Sequence, residues 1–392
     1  MNELSTDVIT PSIKGNNVAA TGYDENTVRS LSNADVVRRL VGKIKNNLHL
    51  YYPGPDLSSA KITGQAWGGE GSARTFRFKI HSSVSPKEQV VFVKLYPIYG
   101  HFNPSRYEYE TLQLLHERMP FHQKNLQVSR PLDFYPELNA YAMESAGTKS
   151  FKQYLLKNNG MLRNHASLSE LLSLVSGCAA WLKTFHEITR SEKTKTFTLK
   201  SYLDSLNQDY DYRSISSFRF KPETLSAIDV LIKELASLDN QCELPCAKWH
   251  WDFTPGHIYL DDGRITVIDI LGGDDTPIFE DIGRFLAAMS TVNNLPFYPL
   301  FDRQRAETML CDQFVESYAT DAGYGKEQFM LFTNIYKLKY LIISFCGQHS
   351  RVSDKAHPLV GNAFANLRLV RLFEGPLLRT VNEISRRLKK LS

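Results

Sequence analysis

His250-Trp251-Asp252-Phe253-Thr254-Pro255-Gly256-His257 leads into Ile258-Tyr259-Leu260, a turn at Asp261 to Gly263, and then Thr266-Val267-Ile268-Asp269. Two short apolar runs around an Asp-Asp-Gly turn predict a hairpin. Asp252 and Asp269 then stand seventeen residues apart, one in the loop before the hairpin and one just after it. Phosphoryl transfer asks for such a pair. One carboxylate orients the attacking hydroxyl and accepts its proton, and the other helps to hold a divalent cation on nucleotide phosphates.

Outward from this segment the chain changes character. After Gly147 the pattern is helical, with a long apolar-periodic stretch from Leu168 to Ile188 and others at Ala306 to Tyr318, Gln328 to Phe345 and Ala363 to Leu391. Before it, Thr75 to Ile80 alternates and Gln89 to Tyr96 is a β-branched and aromatic run. A helix is expected from Ser105 to about Arg118, then strand-like runs at Leu126 to Phe134 and Asn139 to Glu144. Gly64, Gly68, Gly69 and Gly71 punctuate the first turn of this sheet. Asn33 to Leu48 spaces Val36, Val37, Leu40, Val41, Ile44 and Leu48 at helical intervals behind a Ser32 or Asn33 cap. Residues 1–30 are polar without an apolar period and read as a mobile leader. The expected fold class is α+β, with a small antiparallel sheet lobe over residues 31–145 and a larger, mainly helical lobe over residues 146–392.

Within the small lobe, period-two alternation puts Lys94 on the same side as Phe92 and Val90, so a charge interrupts an apolar face and wants an anionic partner. Glu108 fits best, because Leu112 and Leu115 follow at +4 and +7 and set the inward stripe near it; Glu110 is the runner-up. Gly68, Gly69 and Gly71, with Ser72, offer unhindered backbone N–H groups to phosphate oxygens.

These residues together resemble the aminoglycoside phosphotransferase and choline kinase family. His250-x-Asp252 followed by Pro255-Gly256 is similar to that family's catalytic loop, and Gly68-Gly69-Glu70-Gly71-Ser72 to its phosphate loop. The resemblance implies a bilobal protein-kinase-like fold, with Asp252 as catalytic base, Asp269 as a metal ligand, and Asp281 as a helix-start aspartate whose plainer reading is an N-cap. It implies nucleotide contacts from Lys94, Glu108, the glycine loop, and a hinge around Glu144 and Ala146. Two residues depart from the pattern: Trp251 stands where a glycine is usual, and His257 where a metal-binding asparagine is usual. Macrolide phosphotransferases are similar in carrying Pro-Gly-His here, so His257 is read as a metal ligand. Imidazole in place of an amide oxygen would favour Mn²⁺ relative to Mg²⁺. The activity implied is transfer of the γ-phosphate of ATP, with GTP open, to a hydroxyl of a sugar, polyol or other natural product. Trp251 and His257 motivate the rival reading, a nucleotide-binding pseudokinase with a regulatory or scaffold role.

Bulk properties narrow the field further. The chain has 392 residues, 42% of them hydrophobic and 22% charged, as in an ordinary globular protein of more than one lobe. A formal charge of +4, without aromatics interleaved among arginines, speaks against a nucleic-acid binder. Five cysteines, an odd number, argue against a disulfide framework, and Cys242 and Cys246 read as ordinary thiols. No run reaches ~18 uninterrupted apolar residues and the N-terminus lacks an apolar signal stretch, so a cytoplasmic location is expected. His186 reads as structural, and Tyr202, Tyr210, Tyr212, Asp204, Asp209 and Asp211 as helix and loop near where the family builds its acceptor pocket. Arg379, Arg386, Arg387, Lys389 and Lys390 make one side of the last helix basic. A packing role is favoured there over contact with an anionic membrane surface.

Overall fold

The computed structural model describes residues 31–53, 57–68, 73–82, 88–97, 104–157, 165–207, 220–261, 263–271, 273–292, 300–319, 325–355 and 361–391. Residues 1–30, Gly69, Gly71, Ser72, Asp209, Tyr210, Asp211 and Tyr212 lie outside them.

Helix α1 (Asn33–Tyr51) is capped by Ser32, whose hydroxyl accepts from the Asp35 N–H at 3.2 Å. Val36, Leu40, Ile44 and Leu48 form its buried stripe. Strands β1 (Lys61–Gly68), β2 (Arg74–His81) and β3 (Gln89–Leu95) follow. After helix α2 (Pro104–His122) come β4 (Leu126–Val128), β5 (Pro131–Tyr135) and β6 (Ala140–Glu144). The antiparallel sheet runs β1-β2-β3-β6-β5. Alternation divides β3 between two cores. Val91, Val93 and Leu95 face the α1 stripe together with Phe76, Phe78, Ala140 and Ala142. The other face carries Lys94 opposite Tyr141 and meets α2, where Leu112, Leu115 and Met119 are buried. Each fully buried Leu or Ile here contributes about 1.5–3 kcal/mol by area. Gly64 is a strand residue rather than a turn residue. A Cβ there would lie 2.4 Å from the Phe78 ring, so glycine lets that ring cross the strand.

The run expected from Leu126 to Phe134 divides in two. Strand β5 joins the sheet, whereas β4 pairs in parallel with β10 (Arg264–Val267), which in turn pairs antiparallel with β9 (Ile258–Asp261). The remaining part is mainly helical: α3 (Phe151–Lys157), α4 (His165–Ile188), α5 (Leu199–Asn207), α6 (Pro222–Leu235), α7 (Phe279–Thr291), α8 (Leu300–Ala319), α9 (Lys326–Lys355) and α10 (Gly361–Leu391). It also holds a sheet that the sequence pattern did not announce, β7 (Arg190–Thr196), β8 (Glu243–Lys248) and β11 (Asp275–Pro277) in the order β11-β8-β7. Among the described residues one stretch, Lys326–Gln348, is long and apolar enough in composition to cross a membrane, but 72% of its most apolar window is buried inside the fold. Four of the basic residues of α10 are matched within the chain: Arg379 with Glu307, Arg386 with Glu383, and Arg387 and Lys390 with Glu327.

Candidate active site

Lys94 has found its partner. Its ammonium lies 3.0 and 3.1 Å from the two oxygens of Glu108, 2.9 Å from the Tyr96 hydroxyl and 3.1 Å from Asp269 Oδ1. Glu108 is fully buried, and the Tyr96 hydroxyl donates to it as well. Glu110, the runner-up, is exposed and pairs with Arg106 instead. Burial would drive the Lys94 proton off, but Asp269 and Glu108 outweigh it and hold the group well above its ordinary range. Burial likewise pushes Asp269 up, and the Lys94 ammonium together with the neighbouring His257 and His250 more than offsets it, leaving the carboxyl below its usual value.

The loop before β9 is fixed by what flanks Asp252. His250 is buried, edge-on to Trp181, and Phe253 is buried between Trp181 and Phe285. These two anchors leave Trp251 and Asp252 outward. Burial pulls the His250 imidazole down to about 4, so it is neutral, and its Nδ1 accepts from the Asp252 N–H at 3.4 Å. Asp281 is no N-cap. It sits inside the first turn of α7, where it accepts from the His250 N–H at 3.0 Å and contacts His186 at 3.2 Å. His186 also meets the Tyr318 hydroxyl at 2.7 Å, a structural role. Trp251 has φ of 76°, the left-handed region in which a bulky residue is strained. It is 45% exposed and packs on Trp249 at 4.3 Å.

His257 lies between the two carboxylates. Its Nδ1 is 2.9 Å from the Asp252 carbonyl oxygen, which makes Nδ1 the donor and leaves the Nε2 lone pair facing Asp269 Oδ2 at 3.6 Å. A separation of that size can be spanned by one cation with ligand distances of about 2.1 Å. Among the described residues no group of three or more His, Cys, Asp or Glu forms a self-contained metal site. The pair offers one carboxylate oxygen and one imidazole nitrogen, so an ion held there would take the rest of its shell from outside these two side chains.

No protein-family model matches the chain, and no curated protein matches it. Solved structures do. The chain is similar to a glucosamine kinase at 15% identity and a TM-score of 0.50, over 86% of this chain and 85% of that one. It is similar to an amicoumacin kinase, solved with AMP-PNP and Ca²⁺, at 12% identity and 0.50, over 86% and 93% of the two chains. A protein assigned as an aminoglycoside phosphotransferase from Ralstonia eutropha aligns at 13% identity and 0.51, over 87% and 98%. The chain carries the kinase-like fold. In that fold Lys94, Glu108, Asp269, His257 and Asp252 form one continuous polar line from the small sheet to the helical part.

Other expected residues stand apart from this line. The Glu144 carboxylate faces outward to Arg130, with both contacts at 3.1 Å, and the Glu144 and Ser145 N–H groups are bound by the Arg130 and Val90 carbonyls. Ala146 is half-buried on the connecting segment. Gly68 ends β1, where its partner is Thr75. Tyr202 is a core residue, 5% exposed, and its hydroxyl donates to the Ile335 carbonyl, whereas Asp204 is exposed. Two members of the site were missed in the sequence. Tyr96 is two residues beyond Lys94 on the same face, a signal in plain view. Arg284 donates to Asp252 Oδ1 at 3.2 Å, and its signal was a charge among the buried residues Ile282, Phe285 and Leu286 of α7.

Proposed function

We propose that the chain transfers the γ-phosphate of ATP, or of GTP, to a hydroxyl group of a small molecule such as a sugar, polyol or other natural product. The observation that carries this reading is the single ammonium of Lys94 shared between Glu108 and Asp269, with Asp252 beyond His257 in the same line. A lysine so held is ready to exchange a carboxylate for phosphate oxygens, since both are anionic acceptors. Asp269 Oδ2 and His257 Nε2 would hold the divalent cation, Mg²⁺ or Mn²⁺, which supplies charge neutralisation on the transferring phosphate. Asp252 would orient the acceptor hydroxyl and take its proton. Small-molecule kinases among the similar structures support the class of acceptor without naming it.

The test is Asp252→Asn, assayed with ATP and GTP, Mg²⁺ and Mn²⁺, over a panel of hydroxyl acceptors. The amide keeps the shape and cannot accept the proton, so turnover should fall about 10²–10⁴-fold while nucleotide affinity stays near the parent's. Parental turnover in the variant would remove Asp252 from the chemistry. Nucleotide binding by a parent chain inactive with every acceptor would favour the regulatory, non-catalytic alternative.

A further inference from the structure

Behind Asp252 lies an ion system that phosphoryl transfer as described leaves without a task. The Arg284 guanidinium that bonds Asp252 Oδ1 lies over the Tyr340 ring, 4.5 Å from its centre. The Tyr340 hydroxyl donates to Glu280 Oε2 at 2.6 Å, and both Glu280 oxygens receive the Lys339 ammonium at 2.7 and 2.8 Å. Tyr340 and Lys339 are 2% and 4% exposed. Next to Arg284, a Cβ on Gly283 would stand 2.4 Å from the Tyr336 carbonyl carbon and 2.7 Å from its oxygen. Helices α7 and α9 thus touch backbone to backbone one turn before Tyr340, which fixes how far the Tyr340 ring stands from Arg284.

We infer that Arg284 is the positioning residue for the base, holding one oxygen of Asp252 from a platform built by Gly283, Tyr340, Glu280 and Lys339. The inference rests on the phosphotransferase reading of the same site. Stability alone does not account for the arrangement, because a buried ion pair is commonly matched or bettered by apolar residues of the same volume. What a guanidinium pinned by an aromatic face adds is direction. Oδ1 is engaged, and Oδ2 is left for the acceptor; the His257 Nδ1 that stands 3.3 Å from it is already bonded to the Asp252 carbonyl at 2.9 Å. The Asp252 side chain is 39% exposed against 23% for Arg284, so an acceptor reaches the carboxylate from the open side while the guanidinium holds it from behind. A carboxylate free to rotate would spend much of its time out of line with the hydroxyl, and misplacement of about 1 Å costs on the order of 10²-fold in rate.

The test is a set of variants assayed with the full chain: Arg284→Ala, Arg284→Lys and Tyr340→Phe. Arg284→Ala should lose about 10²-fold in kcat with KM and affinity for the nucleotide within about 2-fold of the parent, and millimolar guanidinium ion should restore part of the loss. Lysine should restore little, because a point charge does not stack on Tyr340 while holding a carboxylate, and Tyr340→Phe, which keeps the ring, should lose less than either. Should Arg284→Ala not fold, Arg284→Lys carries the same comparison. Parental kcat in either Arg284 variant, or a loss that guanidinium leaves untouched, overturns the inference while the phosphotransferase reading stands. A parent that phosphorylates no acceptor overturns that reading, and the role of Arg284 falls with it.

Discussion

Replacing Lys94 by methionine removes one ammonium that serves two carboxylates while keeping much of the side chain's length. Glu108 is fully buried and would keep only the Tyr96 hydroxyl as its polar partner at this corner. Breaking a buried ion pair by deleting one partner costs about 3–5 kcal/mol, because the remaining charge is left without compensation. The Asp269 arm adds about 1 kcal/mol or less, since that side chain is 31% exposed and water screens it. The sign of the pH dependence follows from the two shifts. Lys94 is held above 10.5, so its contribution is complete below that value and is lost only as pH rises through the raised one. Asp269 is held below 3.8, so its contribution is present above that value and is lost as pH falls through the lowered one. Urea unfolding followed by circular dichroism should therefore show the full loss at neutral pH and a loss that shrinks only as pH falls below 3.8 and through the lowered Asp269 value, where the parent loses the Asp269 arm too. A loss under about 1 kcal/mol at neutral pH would refute the claim that this ammonium holds the corner together.

At Trp251 the left-handed backbone makes glycine a better replacement than alanine. Trp251→Ala keeps the strain and loses the stack on Trp249, so it should unfold more readily than Trp251→Gly by about 1 kcal/mol, read as a difference in urea midpoints; the opposite order would contradict the φ of 76°. His257→Asn should raise the ratio of Mg²⁺- to Mn²⁺-supported turnover, and an unchanged ratio would take the imidazole out of the metal shell.

How much could be read from the chain before folding depended on the range of each interaction. The α1 stripe, the β3 alternation and the hairpin around Gly263 are local, and their periods were visible. The Lys94 and Glu108 pair was legible because an interrupted apolar face and a helix stripe pointed at each other across a short separation. The β7 strand was not, because Arg190–Thr196 is polar and mostly exposed and is held by backbone pairing to β8, which leaves no hydrophobic period to read. Leu126–Val128 looked like any strand, and nothing in three residues says that the partner is β10 in parallel. The conformation of Trp251 was likewise hidden: residue type favours an ordinary backbone there, and the buried side chains of His250 and Phe253 override it.

The short β4 ladder decides which pieces of the kinase-like fold travel together. Besides pairing with β10, β4 receives the Trp181 indole N–H of α4 on the Gln127 carbonyl at 2.8 Å, and the Tyr107 hydroxyl of α2 reaches the Gly273 carbonyl at 3.3 Å. The helix bearing Glu108 is thereby fastened to the segment bearing Asp269. Glu108 and Asp269 thus reach the same ammonium from two elements that are bonded to each other, so the corner is closed on both sides of Lys94. The corner works as a latch with two catches and one bolt.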